Sequence, residues 1–494
     1  MSKSTGKRPD LSWTNSGPEL PERHLASSSL NFDNPSRRDT LLSAAYVFLF
    51  AVATRVIFVI YDGGFGYEPK ADSRDFQMIA VSLANGTGYS RLYPDLSWRP
   101  TAYRMPLTPL FLAAIYKTFG LRPFTARLIL AVLGAVACTL LVVVGICVLG
   151  RREGLRAGFF AGVLAAGDPF LVMNQTLILL EPLHVLLVAF LLLSALSYSR
   201  NPNGFRLLIL AILSALIALN RPDGIAYALV AAAVAVLSSR PKPSRLAQPK
   251  LDDSIRVERP GGNRSQGQSG WLASLRGQRV FSAATVLGVT ILAIIPWSIR
   301  NYRSLGTFVP LTTASGDLLL GANNQATYSP GPFYGYWAYG ALTTGEAAAY
   351  GFAGEVRADR ERRRLAFEYA YHHPLEAAAV VPIRILRGWD LFDPIGNARF
   401  GEAWGRPKAL SLVALALYYP GLALAAVGGI AYRRMWKRMA ILYLLPTYVT
   451  LLFAVATGEP RYRAGAQLAI WVLAGMGASR LLKQESEDVS LENE

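Results

Sequence analysis

A chain of 494 residues in which 52% are hydrophobic and only 17% charged is too apolar for a set of ordinary soluble domains. Its apolar residues fall in runs of about 17 to 25, long enough to cross a bilayer, so the fold class is an all-α polytopic membrane protein. The formal charge of +17 would suggest a nucleic-acid partner in a soluble chain, but the cations sit in connectors between apolar runs, in "GRREGLR" ending at Arg156 and "YRRMWKR" ending at Arg438, which is a topology signal and excludes nucleic acid.

In chain order, residues 1–39 read as a polar cytoplasmic tail that lacks the cleavage site of a secretory signal, so the first span is expected to act as its own targeting signal. The transmembrane domain is expected over 40–482. It holds about ten spans, near Thr40–Tyr61, Thr125–Leu149, Leu155–Met173, Leu177–Tyr198, Phe205–Leu219, Gly224–Leu237, Val280–Trp297, Ala409–Tyr432, Met439–Ala456 and Ala464–Leu482. The fifth and sixth are short and poorly separated. Residues 239–278 have the composition of a basic cytoplasmic linker, and 483–494 form an acidic cytoplasmic tail. Alternating from a cytoplasmic N-terminus places both termini inside the plasma (inner) membrane and satisfies the positive-inside rule. The outer face then receives two long segments, 62–124 and 298–408, with tight turns carrying Asn174, Arg221 and Arg461. Cys138 and Cys147 lie in one apolar run and read as small hydrophobes. Arg55, near the outer end of the first span, is expected to snorkel.

The first outer segment contains "EPKADSRDFQMIAVSLANGTGY". Phe76, Ile79, Ala80 and Leu83 recur at helical spacing and Asn85–Gly86 supplies a stop, which predicts an amphipathic helix on the outer membrane surface. Asp72 stands where an N-cap belongs and Asp75 where the far member of a capping box would be. Capping and chemistry are both open for this pair. Other polar groups gather on the same face: Arg104 before a proline pair, Glu181 opening the fourth span, Arg221 in "NRPDG", Arg300 in "PWSIRNY", and Arg461 and Arg463 in "GEPRYR". Glu181 equally suits the helix dipole at the start of its span. Glu181 and His184 stand one turn apart like a metal-ligand pair, but with four histidines and no second such pair, no metal or other cofactor is expected. "GPFYGYWAYG", Gly331–Gly340, either covers a sugar or lies at the membrane interface, and "HHP", His372–Pro374, marks a helix boundary.

The ordered set "ADSRDFQMIAVSLANGTGYS", "YRMPLTPLFLAAIY", "LLEPL", "NRPDG", "PWSIRNYRSLGTFVPLTTASGDLLLGANN" and "PRYRAG" resembles the polyprenyl-phosphate-sugar-dependent branch of the C-type (GT-C) glycosyltransferases. That branch includes bacterial relatives of protein O-mannosyltransferases and the aminoarabinose transferase. The likeness runs from about Thr40 to Leu482. It implies a GT-C bundle with juxtamembrane helices, a first outer loop carrying the catalytic acid, and a donor groove open to lipid. It also implies glycosyl transfer from a polyprenyl-phosphate-linked sugar to a lipid, glycan or protein acceptor on the outer face.

Asp72 matches the family's leading aspartate, with Phe76 where many relatives have Tyr, and Arg104 matches a phosphate-contacting cation. Tyr103 stands where some relatives carry an additional acid, which argues against a metal. In that chemistry Asp72 is the general base of an inverting hexosyl or pentosyl transfer. Arg104, Arg300, Arg461 and Arg463 gather the leaving phosphate's charge, and Asp75, Glu181 and Arg221 complete the donor-binding set. A lipid or sugar transporter or flippase would instead carry ionisable groups near the midplane and a repeated half. A noncatalytic scaffold would tolerate loss of Asp72.

Overall fold

In hydrocarbon a peptide group has no water to bind, so each long apolar run must satisfy its own backbone as a helix. The structure, a computed structural model of the chain, describes residues 35–93, 96–238, 264–338 and 354–492. The elements in order are α1 (Arg37–Tyr61), α2 (Ala71–Ala84), β1 (Ser90–Leu92), β2 (Trp98–Pro100), α3 (Leu107–Phe119), α4 (Pro123–Leu149), α5 (Arg151–Gly167), α6 (Pro169–Asn174), α7 (Glu181–Arg200), α8 (Gly204–Asn220) and α9 (Gly224–Ser238). They continue with α10 (Arg264–Leu305), α11 (Ser315–Ala322), α12 (Gln325–Tyr328), α13 (Glu355–His372), α14 (Pro374–Gly388), α15 (Pro394–Glu402), α16 (Lys408–Ala431), α17 (Ala440–Val455) and α18 (Ala464–Glu492).

All ten apolar runs are helical. Among the described residues six helices are long and apolar enough to cross a membrane, in α1, α4, α7, α10, α16 and the segment Pro460–Gln484, while α3, α8, α9 and α17 are shorter apolar helices. Leu41, Leu49 and Ile57 of α1, Ile291 and Leu292 of α10, and Val413 and Leu417 of α16 are exposed. Apolar side chains turned outward along whole helices need a lipid solvent, and the protein is an all-α, multi-pass membrane protein.

Four boundaries differ from the sequence reading. Ser36 caps α1 in a reciprocal box with Asp39, so the helix begins at Arg37. The third run breaks between Gly167 and Pro169, where Asp168 Oδ1 accepts from the Phe170 amide at 2.9 Å and starts α6. Of the expected linker, 239–263 lies outside the described residues, while the stretch from Arg264 belongs to α10. The C-terminal tail continues α18 to Glu492. The first outer segment also contains the antiparallel hairpin β1–β2, with Ser90 opposite Pro100.

Arg55 does not snorkel. It is fully buried, its Nε donating to Gln175 Oε1 at 2.8 Å and its Nη1 to the carbonyls of Ala51 at 3.0 Å and Ala166 at 3.3 Å. The break after α5 explains this, because the last carbonyls of a helix lack internal donors and the guanidinium supplies one.

Small residues set how closely the helices meet. Gly154, Gly158 and Gly162 recur every fourth residue along α5. A Cβ at Gly154 would stand 2.4 Å from the Gly145 carbonyl, and one at Gly158 would stand 2.5 Å from the Val142 carbonyl. Gly428 of α16 and Gly477 of α18 meet each other's helix just as closely, at 2.0 Å from the Leu473 carbonyl and 2.1 Å from the Leu424 carbonyl. Along their apolar windows α7 and the Pro460–Gln484 segment are 78% buried against 22% for α16, which makes them the centre of the bundle.

Gly158→Val should lower the thermal midpoint in detergent and the folded yield, since overpacking costs about 1–3 kcal/mol. Gly288→Val in α10, where a Cβ meets nothing within 4 Å, should leave both unchanged. Equal behaviour of the two variants would show that the α4–α5 contact does not govern stability.

Candidate active site

α2 starts abruptly. Ala71 has φ +45°, the N-cap is Lys70, and no side chain caps the helix. Neither Asp72 nor Asp75 is therefore a capping residue. Asp72 sits in the first turn, where the helix dipole favours a carboxylate. Its Oδ1 accepts from Arg104 Nη2, and its Oδ2 accepts from Arg461 Nη1 at 2.6 Å. Burial alone would raise the Asp72 pKa, but the charges of Arg104 and Arg461 outweigh it and hold the carboxyl well below the usual carboxylate range.

Each arginine is held from its other side as well. Arg104 Nη2 donates to Asp75 Oδ2 at 2.9 Å, and Asp75 Oδ1 pairs with Arg91 at 3.1 Å. Arg461 Nε pairs with Glu459 Oε1 at 3.1 Å, and Arg406 stands 3.5 Å from the same oxygen. Phe76, with no phenol to donate, lies under Arg104 with its ring centroid 5.0 Å from the guanidinium carbon.

Asp72, Arg104, Glu181, Arg221 and Arg461 line one cavity of about 180 Å³, together with Tyr103, Asp223, Asp317, Trp337, Trp404 and Glu459. Glu181, in the first turn of α7, is buried, and its Oε2 has no hydrogen-bond partner among the described residues. Arg221 Nε pairs with Asp223 Oδ1 at 2.8 Å and stacks over Tyr462 at 5.0 Å. Tyr103 Oη donates to Asp317 Oδ2 at 2.6 Å. Trp404 lies under Arg461, with its ring centroid 5.1 Å from the guanidinium carbon.

Three residues of the sequence-derived set do not line this cavity. Arg300 donates to the carbonyls of Thr101 at 2.5 Å and Tyr89 at 2.6 Å, so it fastens the strand that leads to Arg104. Arg463 pairs with Asp390 at 2.5 Å and borders a separate, smaller cavity. Residues 460–463 form a 3₁₀ turn, in which residues two apart point about 240° apart, so Arg461 and Arg463 face different spaces. Asp75 acts on the site through Arg104. Glu459 was passed over because "GEPRYR" is conspicuous for its cations; Trp337 lies in the aromatic run that the sequence offered as a cover for a sugar, whereas Trp404 carries no local pattern that assigns it to a site.

Arg461 itself occupies the space between the carboxylates of Asp72 and Glu459, and His184 Nε2 lies 3.0 Å from the Tyr227 hydroxyl. Among the described residues no group of three or more His, Cys, Asp or Glu is placed to hold a metal.

The sequence matches no protein-family model and no curated protein. Among solved structures it is similar to the Archaeoglobus fulgidus oligosaccharyltransferase in complex with Zn and sulfate, at 14% identity and a TM-score of 0.50, over 91% of this chain and 50% of that one. The chain has the GT-C fold. The apo form of the same oligosaccharyltransferase gives 13% identity and a TM-score of 0.48 over 92% and 52%. ArnT from Cupriavidus metallidurans bound to undecaprenyl phosphate gives 14% and 0.37 over 88% and 78%. This chain thus spans about half the length of the oligosaccharyltransferase.

Arg300→Met should lower the thermal midpoint and speed amide exchange across residues 89–102, because two carbonyls lose a charged donor, at about 1–3 kcal/mol for a buried group left unsatisfied. An unchanged midpoint would return Arg300 to a ligand-binding role. The Asp72 carboxyl is held below its unfolded value of about 3.9, so its pairing should stabilise the fold fully above that pH and less as pH falls toward the folded value. Melting curves between pH 7 and pH 3 should therefore fall less steeply for Asp72→Asn than for the wild type.

Proposed function

We propose that this protein transfers a glycosyl group from a polyprenyl-phosphate-linked sugar to a hydroxyl acceptor on the extracytoplasmic face of the plasma membrane. One observation carries the reading: a carboxylate and two guanidiniums meet in a cavity that adjoins an apolar groove. The groove, of about 760 Å³, lies between α9 and α10 and is lined by Ile225, Ile291, Ile294, Ile295, Ile299 and Phe308, among others. Its lining neighbours that of the cavity along the chain at two places, where Leu311 of the groove precedes Thr312 of the cavity and where Asp223 of the cavity precedes Ile225 of the groove by two residues. A ligand with an isoprenoid tail and a phosphate head has one part for each space.

The acceptor hydroxyl attacks the anomeric carbon while Asp72 takes its proton, a contribution of about 10² to 10⁴ in rate. The new bond forms as the bond from the anomeric carbon to the phosphate oxygen breaks, and the electron pair leaves on the phosphate. A phosphate monoester is already a weak base, so guanidiniums that gather its charge replace a general acid. Arg104 and Arg461 take this role. Attack from the face opposite the leaving phosphate inverts the anomeric centre. Glu181, Arg221 and the faces of Trp337 and Trp404 are left to contact the sugar. Lipids, glycans and proteins all remain acceptors of the required class.

Asp72→Asn keeps the side chain's shape but removes the base. In nanodiscs supplied with labelled polyprenyl-phosphate hexoses and pentoses and with envelope acceptors, the variant should show normal yield and a loss of transfer of about 10²-fold or more. Wild-type turnover by the variant would end Asp72's role as base.

A further inference from the structure

Seven charged side chains form one unbroken line through the site, in the order Arg91, Asp75, Arg104, Asp72, Arg461, Glu459 and Arg406. Signs alternate along it, and Asp72 is its midpoint. Both Asp72 oxygens accept from a guanidinium, and the two positive charges lower the basicity of the carboxylate toward an alcohol's proton. Meanwhile Arg104 Nε is buried without a hydrogen-bond partner among the described residues, a donor left over on a residue that lines the cavity. The resting site thus has an occupied base beside an incompletely occupied cation.

Building on the lipid-phosphate reading of this site, we infer that the donor's phosphate takes Asp72's place between Arg104 and Arg461 and frees the base only when donor is bound, with Asp75 and Glu459 as positioning residues that hold the two guanidiniums through the exchange. The exchange is one of like for like. A phosphodiester carries one negative charge shared by two oxygens, as a carboxylate does, and accepts from guanidinium forks in the same manner.

The charge of the line fits as well. Its four arginines exceed its three acids by one, and a singly charged diester brings the loaded site to neutrality. After transfer, Asp72 holds the acceptor's proton and is neutral, the departed phosphate is a dianion, and the site is neutral again. The line of seven groups itself thus stays neutral when the donor is bound and after transfer, which matters because an unmatched charge in a largely buried place is costly.

Asp75 and Glu459 are needed because a guanidinium that loses one carboxylate without another to hold it would move with the ligand. Arg461 meets Glu459 through Nε and Asp72 through Nη1, so the Glu459 contact survives the exchange without rearrangement. Glu459 is itself fixed by burial, with only 3% of its surface exposed.

Binding of undecaprenyl phosphate to the full-length protein in nanodiscs tests this independently of catalysis, with undecaprenol as the control for the tail. Asp72→Asn removes the competitor for the arginines and should bind undecaprenyl phosphate about tenfold tighter than wild type. Glu459→Gln and Asp75→Asn remove the same charge nearby but should bind it about tenfold more weakly, because they release the arginines. Undecaprenol binding should not change in any of them. Equal or weaker binding by Asp72→Asn overturns the exchange, and tightening in all three variants overturns the positioning roles in favour of simple charge deletion. If Asp72→Asn does not yield folded protein, Asp72→Ser makes the same comparison. A folded wild type that binds undecaprenyl phosphate no better than undecaprenol defeats the lipid-phosphate reading itself, and this inference with it.

Discussion

Two guanidiniums from distant parts of the chain share one carboxylate, and most of the architecture serves to make that contact possible. Arg104 lies between β2 and α3, and Arg461 lies 389 residues from Asp72, just before the last helix. Charged groups this deeply placed are tolerated only when each is paired, because removing a lone ion from water costs several kcal/mol. The partners must therefore arrive in register. The close glycine contacts of α5 and α18 draw the helices together, and the 3₁₀ turn that leads into the central α18 brings Arg461 to the cavity.

Some polar groups hold the frame that carries the site. Glu355 is one of them. Its Oε2 accepts from the hydroxyls of Tyr93 and Thr101, each at 2.6 Å, and its Oε1 accepts from the Ala102 amide at 2.6 Å and the Thr313 hydroxyl at 2.7 Å. One carboxylate thus ties the hairpin segment and the residues before α11 to the start of α13, and with four accepted bonds it has no capacity to spare for a ligand. Arg300 also fastens the hairpin segment, through two carbonyls. On the residues that line the cavity, Arg104 Nε and Glu181 Oε2 are buried without a hydrogen-bond partner among the described residues, which leaves them available to a ligand.

The helices were legible in the sequence because hydrocarbon leaves a long apolar run no alternative to helix, and the position of α2 followed from the spacing of Phe76, Ile79 and Leu83. The break at Asp168–Pro169 was present as a cap followed by proline, yet the apolar residues on both sides concealed it. Site residues were legible as types and not as directions. Arg461 and Arg463 look equivalent in "PRYR", and only the 3₁₀ geometry separates them; Arg300 resembles a ligand-binding cation until the carbonyls it holds are seen. Glu459 and Trp404 depend on which segments meet in space, and no local spacing records that. Arg55 was misjudged for a related reason, since two of its partners, the Gln175 side chain and the Ala166 carbonyl at the end of α5, lie more than 100 residues away.

The groove beside the cavity gives the charged line a direction. Arg221 and Asp223 stand at the tip of the α8–α9 hairpin, which is tight because Gly224 lets its backbone approach to within 2.4 Å of the Ile217 carbonyl, measured from where a Cβ would be. Two residues beyond Asp223 the chain turns apolar at Ile225 and borders the groove. The change from charged to apolar lining therefore occurs within a single turn of α9. For a substrate with a charged head and an isoprenoid tail this boundary does what a specificity pocket does in a soluble enzyme: the tail cannot enter the charged cavity without losing its apolar surroundings, and the phosphate cannot enter the groove without losing its counter-ions. For the proposed donor, orientation is then set by this boundary before any contact with the sugar is made.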